Sequence, residues 1–137
     1  MIEMKIISTY TTEQAVEDGV LISVPADLLK EVGISYPVFM TSAVHDRYVE
    51  VPDELEGIQD YSARLFDIIY MLRQSMKRFV HDTDYYTLTV MLQKDAIKLA
   101  NEKISDLSEY HKDVTLKTVL EPYLESAKIT ILLPSED

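Results

Sequence analysis

A chain of 137 residues with 47% hydrophobic content is long enough for one domain with its own core, and 13 Lys+Arg against 24 Asp+Glu give it a formal charge of −11. The absence of cysteine excludes disulfides, thiolate zinc sites, a thiol nucleophile and iron–sulfur clusters. No apolar run approaches the ~20 residues that span a bilayer, and no basic segment leads into an apolar one at the N-terminus, so the expected location is the cytoplasm.

The charge is unevenly placed. Residues 1–60 carry Lys5, Lys30 and Arg47 against twelve acids, whereas residues 61–137 carry ten bases against twelve acids. Such a negative field repels nucleic acid and anionic membranes, so an anionic ligand has to be received by a local cluster in the second half.

Residues 4–10 read as a short apolar strand. Thr11 with Gln14 three residues on forms a capping box that opens a helix, and Gly19 stops it. The β-branched content of residues 20–24 predicts a second strand. Pro25 at a first helical position, apolar Leu28, Leu29 and Val32, and Gly33 just beyond predict a short helix over 25–32. Residues 37–40 are extended, and Thr41 caps another short helix through Tyr48. The strongest element is a helix over 60–80, with Asp60 as N-cap. Its apolar residues, from Leu65 to Phe79, cover more than one stripe, which points to burial on a sheet on one side and on a second element or subunit on the other.

Three alternating strands follow. Tyr86, Leu88, Val90 and Leu92 share a face with Val114, Leu116, Thr118 and Leu120 and with Ile129, Ile131 and Leu133. The opposite face is mixed and holds Tyr85, Thr87, Thr89, Met91 and Gln93, then Thr115, Lys117 and Val119, then Lys128, Thr130 and Leu132. Residues 95–111 read as an inserted amphipathic helix, and the neighbourhood of Glu121 and Pro122 as a turn. The expected fold is therefore α+β: an antiparallel sheet packed on one long central helix, with several short helices, in a single domain spanning 1–137.

Chemistry-bearing motifs are few. No phosphate-cradling glycine loop, nucleophile elbow or zinc-protease helix occurs, so the chain reads as a non-enzyme without cofactor or metal. His45 with Asp46, and His81 with Asp82 and Asp84, are residue types that ligate metals, but their placement within or at the end of helices suits capping or surface roles. Tyr85, Gln93, Lys94, Lys117 and Lys128 lie on or beside the mixed sheet face. They are either ordinary solvent-side strand residues or the ring and cations that a base and its phosphates need. Arg64, early in the apolar helix, either pairs with Asp60 or Asp67 or reaches across a subunit boundary.

The runs Ala15-Val16-Glu17-Asp18-Gly19-Val20-Leu21, Tyr36-Pro37-Val38-Phe39-Met40-Thr41 with Ala43-Val44, Arg64-Leu65-Phe66-Asp67-Ile68 with Met71-Leu72-Arg73, Val114-Thr115-Leu116-Lys117 and Leu133-Pro134 are collinear with a domain family widespread in phages and mobile elements. Residues 18–52 most resemble the phage anti-Thoeris proteins of the first described type. The resemblance implies a non-enzymatic inhibitor of bacterial immunity, acting in the infected host's cytoplasm as a homodimer or a hexamer. Proteins of that family sequester cyclic ADP-ribose isomers, some also hold cyclic oligonucleotides, and a ring, an amide and arginines at a subunit boundary contact the ligand. Carried onto this sequence, the ring is Tyr85 and the polar partner is Gln93 or Lys94. This chain has Tyr and Lys where Phe and Asn or Arg are usual. The rival expectation is an acidic mimic of DNA that blocks a restriction or CRISPR nuclease, to which the twelve acids of residues 1–60 are suited.

Overall fold

A computed structural model describes residues 11–50, 61–91 and 111–136. The expected strand over 4–10, the Asp60 cap and the expected helix over 95–111 lie outside the described residues.

Helix α1 (Thr12–Glu17) begins with the capping box the sequence predicts: Thr11 Oγ1 accepts from the Gln14 N–H at 3.1 Å, and Gln14 Oε1 accepts from the Thr11 N–H at 2.9 Å. Strand β1 (Leu21–Ser23) leads to α2 (Ala26–Val32), with Pro25 as the N-cap rather than the first helical residue. Gly33 takes φ +89° at the helix end, and the N–H of Ile34 reaches back to the Leu29 carbonyl. A side chain at residue 33 would be strained in that conformation, which is why a glycine ends the helix there.

Strand β2 (Val38–Thr41) is buried throughout, and Thr41 Oγ1 caps the one-turn helix α3 (Ser42–Val44). The chain then widens into a π-helical turn (His45–Val49), where the sequence predicts a plain helix. Helix α4 (Tyr61–Ser75) is followed by a 3₁₀ turn (Met76–Arg78). Among the described residues the expected 21-residue helix is a 15-residue α-helix that tightens into the 3₁₀ turn, one of several helices rather than one long central one.

Strands β3 (Thr83–Met91), β4 (His111–Tyr123) and β5 (Ser126–Leu132) complete a five-stranded sheet of order β1-β2-β5-β4-β3. The sheet is mixed, because β2 runs parallel to β5 while every other pair is antiparallel. Alternation within the C-terminal strands predicts their pairing, but it carries no information on the direction of a four-residue strand buried on both faces. The turn expected at Pro122 falls two residues later. Pro122 stays in the strand, and Leu124, with φ +54°, makes the turn.

The core lies between one sheet face and α4. Met40, Leu116 and Ile131 from the sheet meet Ile68, Ile69 and Leu72, all of them closed to solvent. Each such side chain contributes about 1.5–3 kcal/mol by leaving water. The second side of α4 is taken up within the chain, against α2 and the π-helical turn.

Candidate functional site

The mixed sheet face exists, and the structure divides it. Tyr85, Lys117 and Leu132 form one rung across β3, β4 and β5. Tyr85 is 54% exposed, so its ring is open to a ligand. Lys117 beside it is half-buried, and its ammonium donates to the Glu136 carbonyl. The Glu136 carboxylate in turn accepts from Thr41 Oγ1 at 2.8 Å and the Leu133 N–H at 2.7 Å. Lys117 therefore pins residues 133–136 across the sheet.

Lys128 stands four residues from Leu132 along β5, about 13 Å from the Tyr85 rung at strand spacing, and is only 8% exposed. Its ammonium lies 3.6 Å from Glu121, 5.7 Å from the Phe39 ring centre and 5.9 Å from that of Tyr123. Those two rings meet edge to face. The Tyr123 hydroxyl donates to Glu13 at 2.7 Å, tying α1 to the strand end; this bond holds the Glu13 carboxyl below its ordinary value and raises the Tyr123 phenol. Lys128 is thus enclosed in a structural cluster.

Arg64 is buried on the helix side of the sheet. Its Nε donates to the Tyr48 carbonyl at 2.8 Å, fastening α4 to the π-helical turn, and burial lowers its pKa against the opposing pull of Asp67. The structure therefore brings Tyr85 and Lys117 together and sets Lys128 and Arg64 apart from them. Gln93 and Lys94 lie outside the described residues. At His81, the backbone N–H donates to the Asp84 carboxylate at 2.9 Å, so Asp84 caps the turn into β3.

Two hollows lie elsewhere, at the end of the sheet where β2 and β5 begin. A cavity of about 670 Å³ runs between α2 and the 33–38 segment, walled by Val24, Leu29, Ile34, Tyr36 and Val38, with Lys30 at its side. A second hollow of about 310 Å³ is walled by Tyr36, Met76, Phe79, Leu120 and Ile129, with His81 and Asp82 beside them. Tyr36 lines both, and Val38 and Ile129 are direct partners across β2 and β5. The two hollows therefore flank one half-buried ring.

Cations gather at this end of a strongly acidic chain. Lys30 lines the larger hollow, Arg73 Nε donates to the Gly33 carbonyl at 3.2 Å, and the 3₁₀ turn that supplies Met76 also carries exposed Lys77 and Arg78. An apolar hollow of 300–1,000 Å³ with a few polar groups is the usual form of a small-molecule site. Rings offer stacking surface, and guanidinium and ammonium groups suit phosphate.

The sequence marks Gly33 as a helix stop and residues 37–40 as extended. The hollows themselves arise because Tyr36 approaches Met76 and Phe79 some forty residues away, which no local pattern records. Comparison with models of known protein families, with curated proteins and with solved structures finds no match for this chain.

Proposed function

We propose that this chain is a ligand-holding protein that binds a small phosphate-bearing nucleotide without converting it. In the form the resemblance implies, the ligand is a cyclic ADP-ribose-type immune signal withheld from its effector in an infected bacterium. The observation that carries the reading is the pair of hollows that flank Tyr36, apolar in their walls, with Lys30 lining the larger and Arg73 bonded to the Gly33 carbonyl beside it.

A nanomolar holder must supply about −12 kcal/mol. One stacked base contributes about 1–3 kcal/mol, and each hydrogen bond to a charged group about 1.5–3 kcal/mol. One stacked base with two such bonds reaches about 4–9 kcal/mol, short of that figure, and enclosure by a paired copy supplies the rest of the desolvation. Sequestration needs affinity and abundance only. The acidic exterior keeps an abundant protein soluble while the cations receive the anion locally.

The test is retention. Purified protein is incubated with the products of a TIR-domain enzyme, or with cyclic ADP-ribose alone, and passed through a filter that holds back protein. Retained nucleotide, released intact on heating, is the expected result, accompanied by a rise in Tm with the ligand present. A filtrate containing all of the nucleotide overturns the reading, and salt-sensitive capture of a basic nuclease in its place supports the acidic mimic.

A further inference from the structure

The π-helical turn gathers a second constellation, distant in role from the hollow. The Glu50 N–H donates to the His45 carbonyl at 2.8 Å, an i→i+5 bond. In an α-helix, five residues would leave Glu50 about 140° around the axis from His45. The wider turn brings the two closer to one side. One ligand atom from each of His45, Asp46 and Glu50 lies within 4.8 Å of the others. His45 is half-buried and the two carboxylates are exposed. On the far side of the imidazole, Nε2 stands 3.0 Å from the Tyr61 hydroxyl.

We propose that His45, Asp46 and Glu50 form a site for one divalent transition-metal ion, zinc being the best matched, with Tyr61 as the group that orients the imidazole. Nδ1 of His45 and Oδ1 of Asp46 are 3.1 Å apart. An ion at bond lengths of about 2.0–2.1 Å sees that pair at an angle of roughly 100°, within reach of tetrahedral geometry. Tyr61 Oη, 3.0 Å from Nε2, takes the Nε2–H once the ion replaces the Nδ1–Asp46 hydrogen bond, as outer-shell partners of ligating histidines do. Glu50, at the end of the turn, offers the third ligand atom, within 4.8 Å of the other two. One nitrogen and two carboxylates select zinc, cobalt or nickel over magnesium and calcium. The two carboxylates offset the ion's charge, and the acidic first half of the chain attracts it. Three protein ligands leave a coordination position for water or a ligand atom. The ion joins the π-helical turn to the start of α4, the junction that Arg64 also fastens.

The test is equilibrium dialysis of the full chain against zinc chloride, with the visible spectrum of the cobalt(II) form as a second readout. One ion per chain is expected, together with a Tm raised by zinc. Uptake is lost in His45→Gln and in Asp46→Asn, whose exposed side chain leaves the fold intact. Tyr61→Phe weakens binding by about tenfold or more, and His81→Ala binds as the parent does. Failure of the parent to take up zinc overturns the site. So does equal uptake by Asp46→Asn and the parent, or displacement of the ion by excess magnesium, since either result assigns binding to the acidic surface at large.

Discussion

The two faces of the sheet carry similar alternating patterns in the sequence, yet they are held by different physics. On the face toward α4, Met40, Leu116 and Ile131 pack against Ile68, Ile69 and Leu72, and stability comes from apolar surface removed from water. On the other face, one part is open around Tyr85. The rest is closed by Phe39 and Leu132 together with polar pairs, Lys117 with Glu136, Lys128 with Glu121, and Tyr123 with Glu13. Lysines on a solvent-side strand position are therefore no guide to a binding surface. Here they fasten the C-terminal residues and the strand end, while the concave surface sits at the sheet's end.

The sharpest way to break that contrast is a truncation on the apolar side. Leu72→Ala is expected to cost about 3 kcal/mol, because the side chain is fully enclosed and its removal leaves a cavity. Urea unfolding measures it, and a cost as small as that of truncating exposed Tyr85, expected to be under about 0.5 kcal/mol, would erase the distinction between the faces.

Tyr86 sharpens it further, being, with Thr118, a buried polar group on the apolar face. Its hydroxyl donates to the Ile68 carbonyl at 3.2 Å, and burial raises its pKa well above the ordinary tyrosine value. A group whose folded pKa is raised contributes stability that is complete below the unfolded pKa of ~10 and is lost as pH climbs above it. Tyr86→Phe should cost about 1 kcal/mol at neutral pH. It should also flatten the alkaline fall in stability, which denaturant titrations between neutral and alkaline pH record.

The smallest of these effects is expected at Lys128, where the second face is closed by polar groups. Lys128→Met keeps the stem's packing against Phe39 and Tyr123 and returns Glu121, already half-exposed, to water. Its stability should stay within about 1 kcal/mol of the parent. A larger loss by the same urea measurement would make the ion pair itself the support of that face.

Much of this architecture was legible in the chain. The capping box at Thr11 and Gln14, the stops at Gly19 and Gly33, the cap at Thr41 and the alternation from Tyr86 to Leu88 and from Val114 to Thr118 are local signals with local causes, and the structure carries them, whereas Leu120, expected on the buried face, is exposed. The parallel β2–β5 pair was not legible, because direction is set by where the connections lie. Nor was the π-helical turn, since its i→i+5 bond leaves no mark in residue type at five-residue spacing. At the candidate site, the pairing of Tyr85 with Lys117 follows from strand register, whereas the burial of Lys128 depends on Phe39 arriving from β2. The hollow around Tyr36 depends on contacts across the whole fold and had no sequence signal beyond Gly33 and Pro37.

Isothermal titration of cyclic ADP-ribose into the parent, Tyr36→Ala and Tyr85→Ala tests the central claim most directly. The account predicts that the parent binds, that Tyr36→Ala weakens binding by about tenfold or more, as loss of one stacked ring does, and that Tyr85→Ala binds as the parent does. Unaltered affinity in Tyr36→Ala with loss in Tyr85→Ala would contradict it and return the site to the open sheet face.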